Sequence, residues 1–201
     1  MKEKNIGAIL EELGLQESIS IKSIPNLDLY MDQVITLFED KLKHTKRYEE
    51  DKLLTKTMIN NYTKDKLLIP AVKKKYTREH IILMILLYEL KQSLTISDIK
   101  SLFSTLVHND TVDGEKLATI YTNYLNLKQK VAAQFIEEVN SVEKEVEEEF
   151  KSNKWGQERP VGENEAIKNM LLATIFTEKA NYYKRMAEKI IDQKIIAPKM
   201  K

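Results

Sequence analysis

The chain has 201 residues, 42% of them hydrophobic and 31% charged, with 32 bases against 31 acids. Such a length accommodates a packed core in one or two small domains, and a net charge of +1 excludes bulk attraction to nucleic acid or to a membrane surface, so any electrostatic argument has to be local. The absence of cysteine removes disulfides, thiolate nucleophiles and thiolate metal sites, and is compatible with the cytoplasm, where we expect the chain to work.

Met1-Lys-Glu-Lys-Asn5 leads into only a short apolar stretch before Glu11 and Glu12, without the h-region of an export signal. Five glycines, four prolines and abundant Leu, Ile, Lys and Glu predict a mainly α fold. Residues 1–26 read as a mobile N-terminal extension. Leu29, Val34, Leu37, Phe38 and Leu42 then recur at helical spacing and predict a first amphipathic helix. Thr55 can cap a short helix running to Lys64, because its hydroxyl accepts an amide hydrogen the first turn leaves unpaired.

Ile69-Pro-Ala-Val-Lys-Lys-Lys-Tyr76 cannot start as helix, since proline lacks the amide donor and pushes its predecessor into extended geometry; a hairpin-like wing is expected. Thr77 caps the next helix, with His80 where a capping box prefers Glu, and the run Ile81–Leu87 is a core helix far short of the ~20 residues that cross a bilayer. Thr95-Ile-Ser-Asp98 has capping-box spacing ahead of Ile99, Leu102, Phe103 and Leu106. The turn formers of Asn109–Gly114 mark a boundary, closing a domain over residues 27–108.

Residues 115–195 predict a long antiparallel helical hairpin. Its first helix carries Leu117, Ile120, Tyr124, Leu127, Val131, Phe135, Val139, Val142 and Val146 in steps of three and four, and its second carries Ile167, Leu171, Ile175, Tyr182, Met186 and Ile190. Trp155-Gly156 and Pro160-Val-Gly162 break the pattern between them. The acidic stretch Glu143–Glu149 reads as a solvated helix face. A single hairpin would leave an apolar stripe uncovered, which predicts a homodimer.

On the helix from Thr55 to Lys64, Met58, Ile59 and Tyr62 fall on one side and Thr57, Asn60, Asn61 and Lys64 on the other. Asn pairs bidentately with adenine, Thr touches a thymine methyl or a phosphate, and Lys reaches phosphate or guanine. Such a face is also common on plain surface helices. Between Lys52 and His80, however, eight bases (Lys52, Lys56, Lys64, Lys66, Lys73, Lys74, Lys75 and Arg78) stand against Asp65 and Glu79 alone. This basic excess coincides with the polar helix face, which favours nucleic-acid binding over a solubility patch.

The segments Thr57–Leu68, Tyr76-Thr-Arg-Glu-His-Ile81 and Leu94-Thr-Ile-Ser-Asp-Ile99 resemble, in order, the DNA-binding domain of MerR-type regulators. Asn60-Asn-Tyr62, Lys73-Lys-Lys-Tyr76 and Leu90–Ile99 more closely resemble a bacterial domain of unknown function, number 1836, considered MerR-like. The resemblance implies a winged helix-turn-helix in which Ile59 and Tyr62 anchor a recognition helix, Thr57 and Asn60 face the groove, and Lys73 to Lys75 touch the DNA backbone. The expected DNA-facing set is Lys56, Thr57, Asn60, Asn61, Lys64, Lys73, Lys74, Lys75, Tyr76 and Arg78, and the expected function is transcription regulation on double-stranded DNA.

A protein-interaction module on the same scaffold is the alternative. The residues point to no enzyme, metal or cofactor: His44, His80 and His108 are far apart, and no phosphate loop, nucleophile elbow or HExxH pattern occurs. Trp155 with Arg159 could cover a pocket or plug the hairpin end. Tyr121, Tyr124, Tyr182 and Tyr183 could line an effector cavity, although packing along the seam is the simpler reading.

Overall fold

Side-chain caps decide where the helices begin. In the computed structural model, which describes residues 5–152 and 161–196, Thr55 Oγ1 accepts the Met58 N–H at 3.1 Å and starts α3 (Lys56–Lys64). Thr95 Oγ1 accepts the Asp98 N–H at 3.2 Å while the Asp98 carboxylate takes the Thr95 N–H, which starts α5 (Ile96–Phe103). Asn5 caps the short α1 (Ile6–Glu12), and Gln33 Oε1 accepts the Tyr30 N–H at 2.8 Å at the head of α2 (Met31–Leu42).

The fold is mainly helical. α4 (Arg78–Lys91) buries seven consecutive residues, Ile81 to Leu87, and a helix apolar all round has to be enclosed. Around it lie Val34, Phe38 and Leu42 of α2, Ile99 and Phe103 of α5, and Leu117 and Tyr121 from the first turns of α6 (Gly114–Ser152). No helix among the described residues is long and apolar enough to cross a membrane.

Three placements differ from the sequence expectations. Ile19 and Ile24, inside the segment expected to be mobile, are buried; the Tyr121 hydroxyl donates to the Ile19 carbonyl at 2.6 Å and Arg78 Nη2 donates to that of Ile21 at 2.9 Å. Leu29 does not open the first helix. It lies in β1 (Leu29–Tyr30), which pairs antiparallel with β2 (Lys75–Tyr76), Leu29 opposite Tyr76 and Tyr30 opposite Lys75. The turn at Asn109–Gly114 joins β3 (Val107–His108) to β4 (Thr111–Val112) and runs directly into α6, which carries Leu117 and Tyr121 back into the same core.

α6 and α7 (Val161–Ile190) lie antiparallel: Lys168 sits over the Phe150 ring, Lys179 Nζ meets Glu138 Oε1 at 2.5 Å, and Phe176 packs on Phe135. α7 continues as a π-helical segment, Ile191–Ile196, that returns to α5 and buries Ile191. Trp155, Arg159 and Pro160 lie outside the described residues. Tyr121 and Tyr124 stack at 6.1 Å between centroids, and burial raises the pKa of both hydroxyls above its ordinary value, whereas Tyr182 and Tyr183 are exposed.

Candidate nucleic-acid interface

α3 divides as its residue types require. Ile59 and Tyr62 are buried against the core, while Lys56, Thr57, Asn60, Asn61 and Lys64 are exposed. Their amide and hydroxyl groups therefore remain accessible for hydrogen bonds with a ligand.

The chain leaves α3 through buried Leu67, Leu68 and Ile69 and then reverses tightly. Val72 N donates to Lys75 O at 3.0 Å and Lys75 N to Val72 O at 2.9 Å, with Lys73 at φ +51° and Lys74 at φ +65°. Two successive positive φ values define a mirror-image type I′ turn, which favours Asn-Gly because a Cβ is crowded in the left-handed region. A second such turn among the described residues, at Asn109-Asp110 (φ +50° and +58°), uses residue types that tolerate this geometry. Lysines at both central positions of the first turn carry strain, and they present two exposed ammonium groups at its tip.

The junction of β1 and α2 lies beside both α3 and this turn. Asp32 Oδ1 pairs with Lys56 Nζ at 2.7 Å, and two residues earlier the Tyr30 ring lies under Lys75 Nζ at 5.2 Å from its centroid. The first turn of α3 and the base of the lysine turn thus approach the same short stretch of chain. Tyr30 and Asp32 were not among the expected site residues. The only hint in the sequence is an aromatic and an acid beside the first apolar position, and their role depends on a strand pairing across 45 residues.

Two of the expected residues are placed elsewhere. Tyr76 is buried, its ring edge-on to His80 with centroids 5.6 Å apart, and burial raises its hydroxyl pKa. Arg78 is half-buried on the Ile21 carbonyl. The structure therefore brings out Lys56, Thr57, Asn60, Asn61, Lys64, Lys73 and Lys74, with Lys75 half-buried, and leaves Tyr76 and Arg78 engaged with other parts of the fold.

His80 fixes the base of the lysine turn to the head of α4. Its Nδ1 accepts the Thr77 N–H at 3.1 Å, as the Glu of a capping box would, which leaves the proton on Nε2 to donate to the Pro70 carbonyl at 3.1 Å. Burial lowers its pKa from the ordinary value of 6.5, so the neutral ring is the native form. Among the described residues no three His, Asp or Glu side chains are grouped to hold a metal ion.

A family model described as a domain of unknown function (DUF1836) matches residues 19–124, a span that opens on buried Ile19 and closes just beyond buried Tyr121. No curated protein and no solved structure matches the chain.

Proposed function

The chain belongs to the DUF1836 family, a domain of unknown function, so its activity has to be argued from the site itself, and we propose that it is a cytoplasmic, double-stranded-DNA-binding transcription regulator that acts as a homodimer. In this reading residues 27–108 form a winged helix-turn-helix of MerR type, with α3 as recognition helix and the lysine turn as its wing, and α6 and α7 form the helical hairpin behind it. The observation that carries the reading is the joining of the hydrogen-bonding face of α3 to a strained lysine turn through Asp32 and Tyr30. Thr57, Asn60 and Asn61 read base edges in the major groove, while Lys64, Lys73 and Lys74 hold phosphates.

Fluorescence anisotropy of a random duplex pool at two salt concentrations, followed by sequencing of the retained DNA, tests it. Salt-sensitive binding with an enriched palindrome is expected; no binding even at low salt would overturn it. Asn60→Ala should lose roughly 1–3 kcal/mol of discrimination between cognate and random DNA and leave the salt slope alone, whereas Lys74→Ala should weaken both and lower the slope by about one.

The exposed Asp32 carboxylate pairs with Lys56 and, on this reading, would repel an approaching phosphate. Asp32→Asn should therefore tighten binding severalfold at low salt and steepen the salt dependence, as read in the same titration. Equal affinities for the two proteins would remove Lys56 from the interface.

Exposed apolar side chains along α7 favour one competing reading, a protein-interaction module without DNA binding. A complex that survives high salt, in a chain that ignores DNA, would establish that reading instead.

A further inference from the structure

A recess of about 200 Å³ lies between the inner side of α3, the end of α4 and residues 52–54, which lead into α3. Buried Leu53, Leu54 and Leu87 give it an apolar lining, and Tyr62 and Tyr88 add two aromatic rings. Exposed Lys52 and Lys91 stand at its mouth, and no carboxylate is among the residues that line it. A space of that size holds about seven waters, or one small molecule built on a single ring. Apolar walls with a few converging polar groups are the usual make-up of a small-molecule site.

The donors around this recess are unspent. Tyr62 is only 6% exposed, yet its hydroxyl has no hydrogen-bond partner among the described residues, whereas the hydroxyl of a buried tyrosine ordinarily finds one. Lys91 Nζ lies over the Tyr62 ring, 5.5 Å from its centroid, and neither Lys91 nor Lys52 meets a carboxylate among the described residues. Acids close to them in sequence are engaged elsewhere: Glu89 Oε1 with Lys128 Nζ at 2.6 Å, and Asp51 with the Tyr48 N–H at 3.0 Å. Tyr88 differs from Tyr62. Thr45 gives its own proton to the Leu42 carbonyl at 2.8 Å, so the 2.6 Å contact between Thr45 and Tyr88 uses the Tyr88 proton. The Tyr62 hydroxyl and two ammonium groups are left as donors without an acceptor in the protein, and an acceptor that carries negative charge suits all three.

We propose that the recess binds a small organic acid. Its compact apolar body rests on Leu53, Leu54 and Leu87, and its carboxylate accepts the Tyr62 hydroxyl and pairs with Lys91 and Lys52. Met58 and Tyr62 line the recess from the inner side of α3, so the occupant stands behind the helix whose outer side carries Thr57, Asn60 and Asn61. The site goes beyond the DNA reading and does not rest on it. It is tested without DNA, so its failure leaves the DNA titration to stand or fall separately.

Benzoate is the probe, and benzamide, with the same ring and no charge, is its control. In carbon–proton NMR spectra of the full chain, benzoate should shift the Met58 methyl signal saturably with a Kd of about 1 mM or tighter, and benzamide should bind at least about tenfold more weakly. Tyr62→Phe removes only the unpartnered hydroxyl, so it should fold with Tm unchanged to within about 2 °C and bind benzoate about tenfold more weakly. Lys91→Gln, at an exposed position, should weaken benzoate severalfold and leave benzamide as it was. The proposal is overturned by the absence of a saturable shift up to about 10 mM benzoate, by equal affinities for benzoate and benzamide, or by a Phe variant that holds benzoate as tightly as the parent.

Discussion

Replacing the tip of the lysine turn, Lys73→Asn together with Lys74→Gly, is expected to yield a protein that is harder to unfold and poorer at holding DNA. Both positions sit at positive φ, where a side chain other than Gly, Asn or Asp costs about 1–2 kcal/mol, and Asn-Gly is the pair this turn type prefers. Relieving that strain should raise Tm by roughly 2–4 °C for each kcal/mol recovered in a chain of this size. On the proposed reading the same substitution removes two phosphate contacts, so the slope of log affinity against log salt should fall by about two. Thermal denaturation and an anisotropy titration at several salt concentrations read the two effects independently. An unchanged slope would mean that the turn does not touch DNA, and a lowered Tm would refute the strain.

The second large effect belongs to His80. In the native chain its ring is neutral, accepting from Thr77 and donating to Pro70, and burial holds its pKa below the ordinary 6.5. The unfolded chain therefore takes up a proton at His80 as pH falls through 6.5 while the folded chain still refuses it. The contribution of His80 is fully present above that pH and is lost on acidification, by up to 1.36 kcal/mol per pH unit, until the native pKa is reached. His80→Ala removes both hydrogen bonds and opens a cavity beside Tyr76, and should cost about 2–4 kcal/mol at pH 7.5. His80→Gln can still accept the Thr77 N–H, so it should be less damaging and should flatten the acid limb of stability. Urea midpoints of the three proteins at pH 7.5 and 5.5 decide the matter. A Gln variant as acid-sensitive as the parent would assign the titration to other groups.

Legibility in the sequence followed the range of the interactions. Thr55 and Thr95 accept amides three residues ahead, and the His80 ring accepts the Thr77 amide over the same spacing, so the starts of α3, α4 and α5 could be read directly, including the unusual His80 in the capping-box position. The buried and exposed sides of α3 were equally local. The pairing of Leu29 with Tyr76 was not, because a two-residue strand leaves no periodicity and exists only through its distant partner. For the same reason Ile19 and Ile24 looked like part of a loose extension; their burial depends on Tyr121 and Arg78, which the chain reaches much later. Tyr76 and Arg78 were expected on an outward, DNA-facing surface, whereas the fold buries Tyr76 against His80 and sets Arg78 on the Ile21 carbonyl. Along α7 the spacing of Leu171, Ile175 and Tyr182 groups them on one side of the helix, but spacing does not say which neighbour that side meets, and all three are exposed.

The return of the π-helical segment to α5 bears on the order in which the protein can be completed during its synthesis. Ile191 leaves the ribosome some 70 residues after Tyr121, the last residue of the main core, an interval of roughly 4–14 s at ordinary elongation rates. Throughout that interval the surface of α5 that it will cover is wet, and the growing α6 extends from a nearly finished domain with its apolar side chains still in search of α7. A nascent chain in that condition is the form most exposed to proteases and to premature association with its neighbours on the same message.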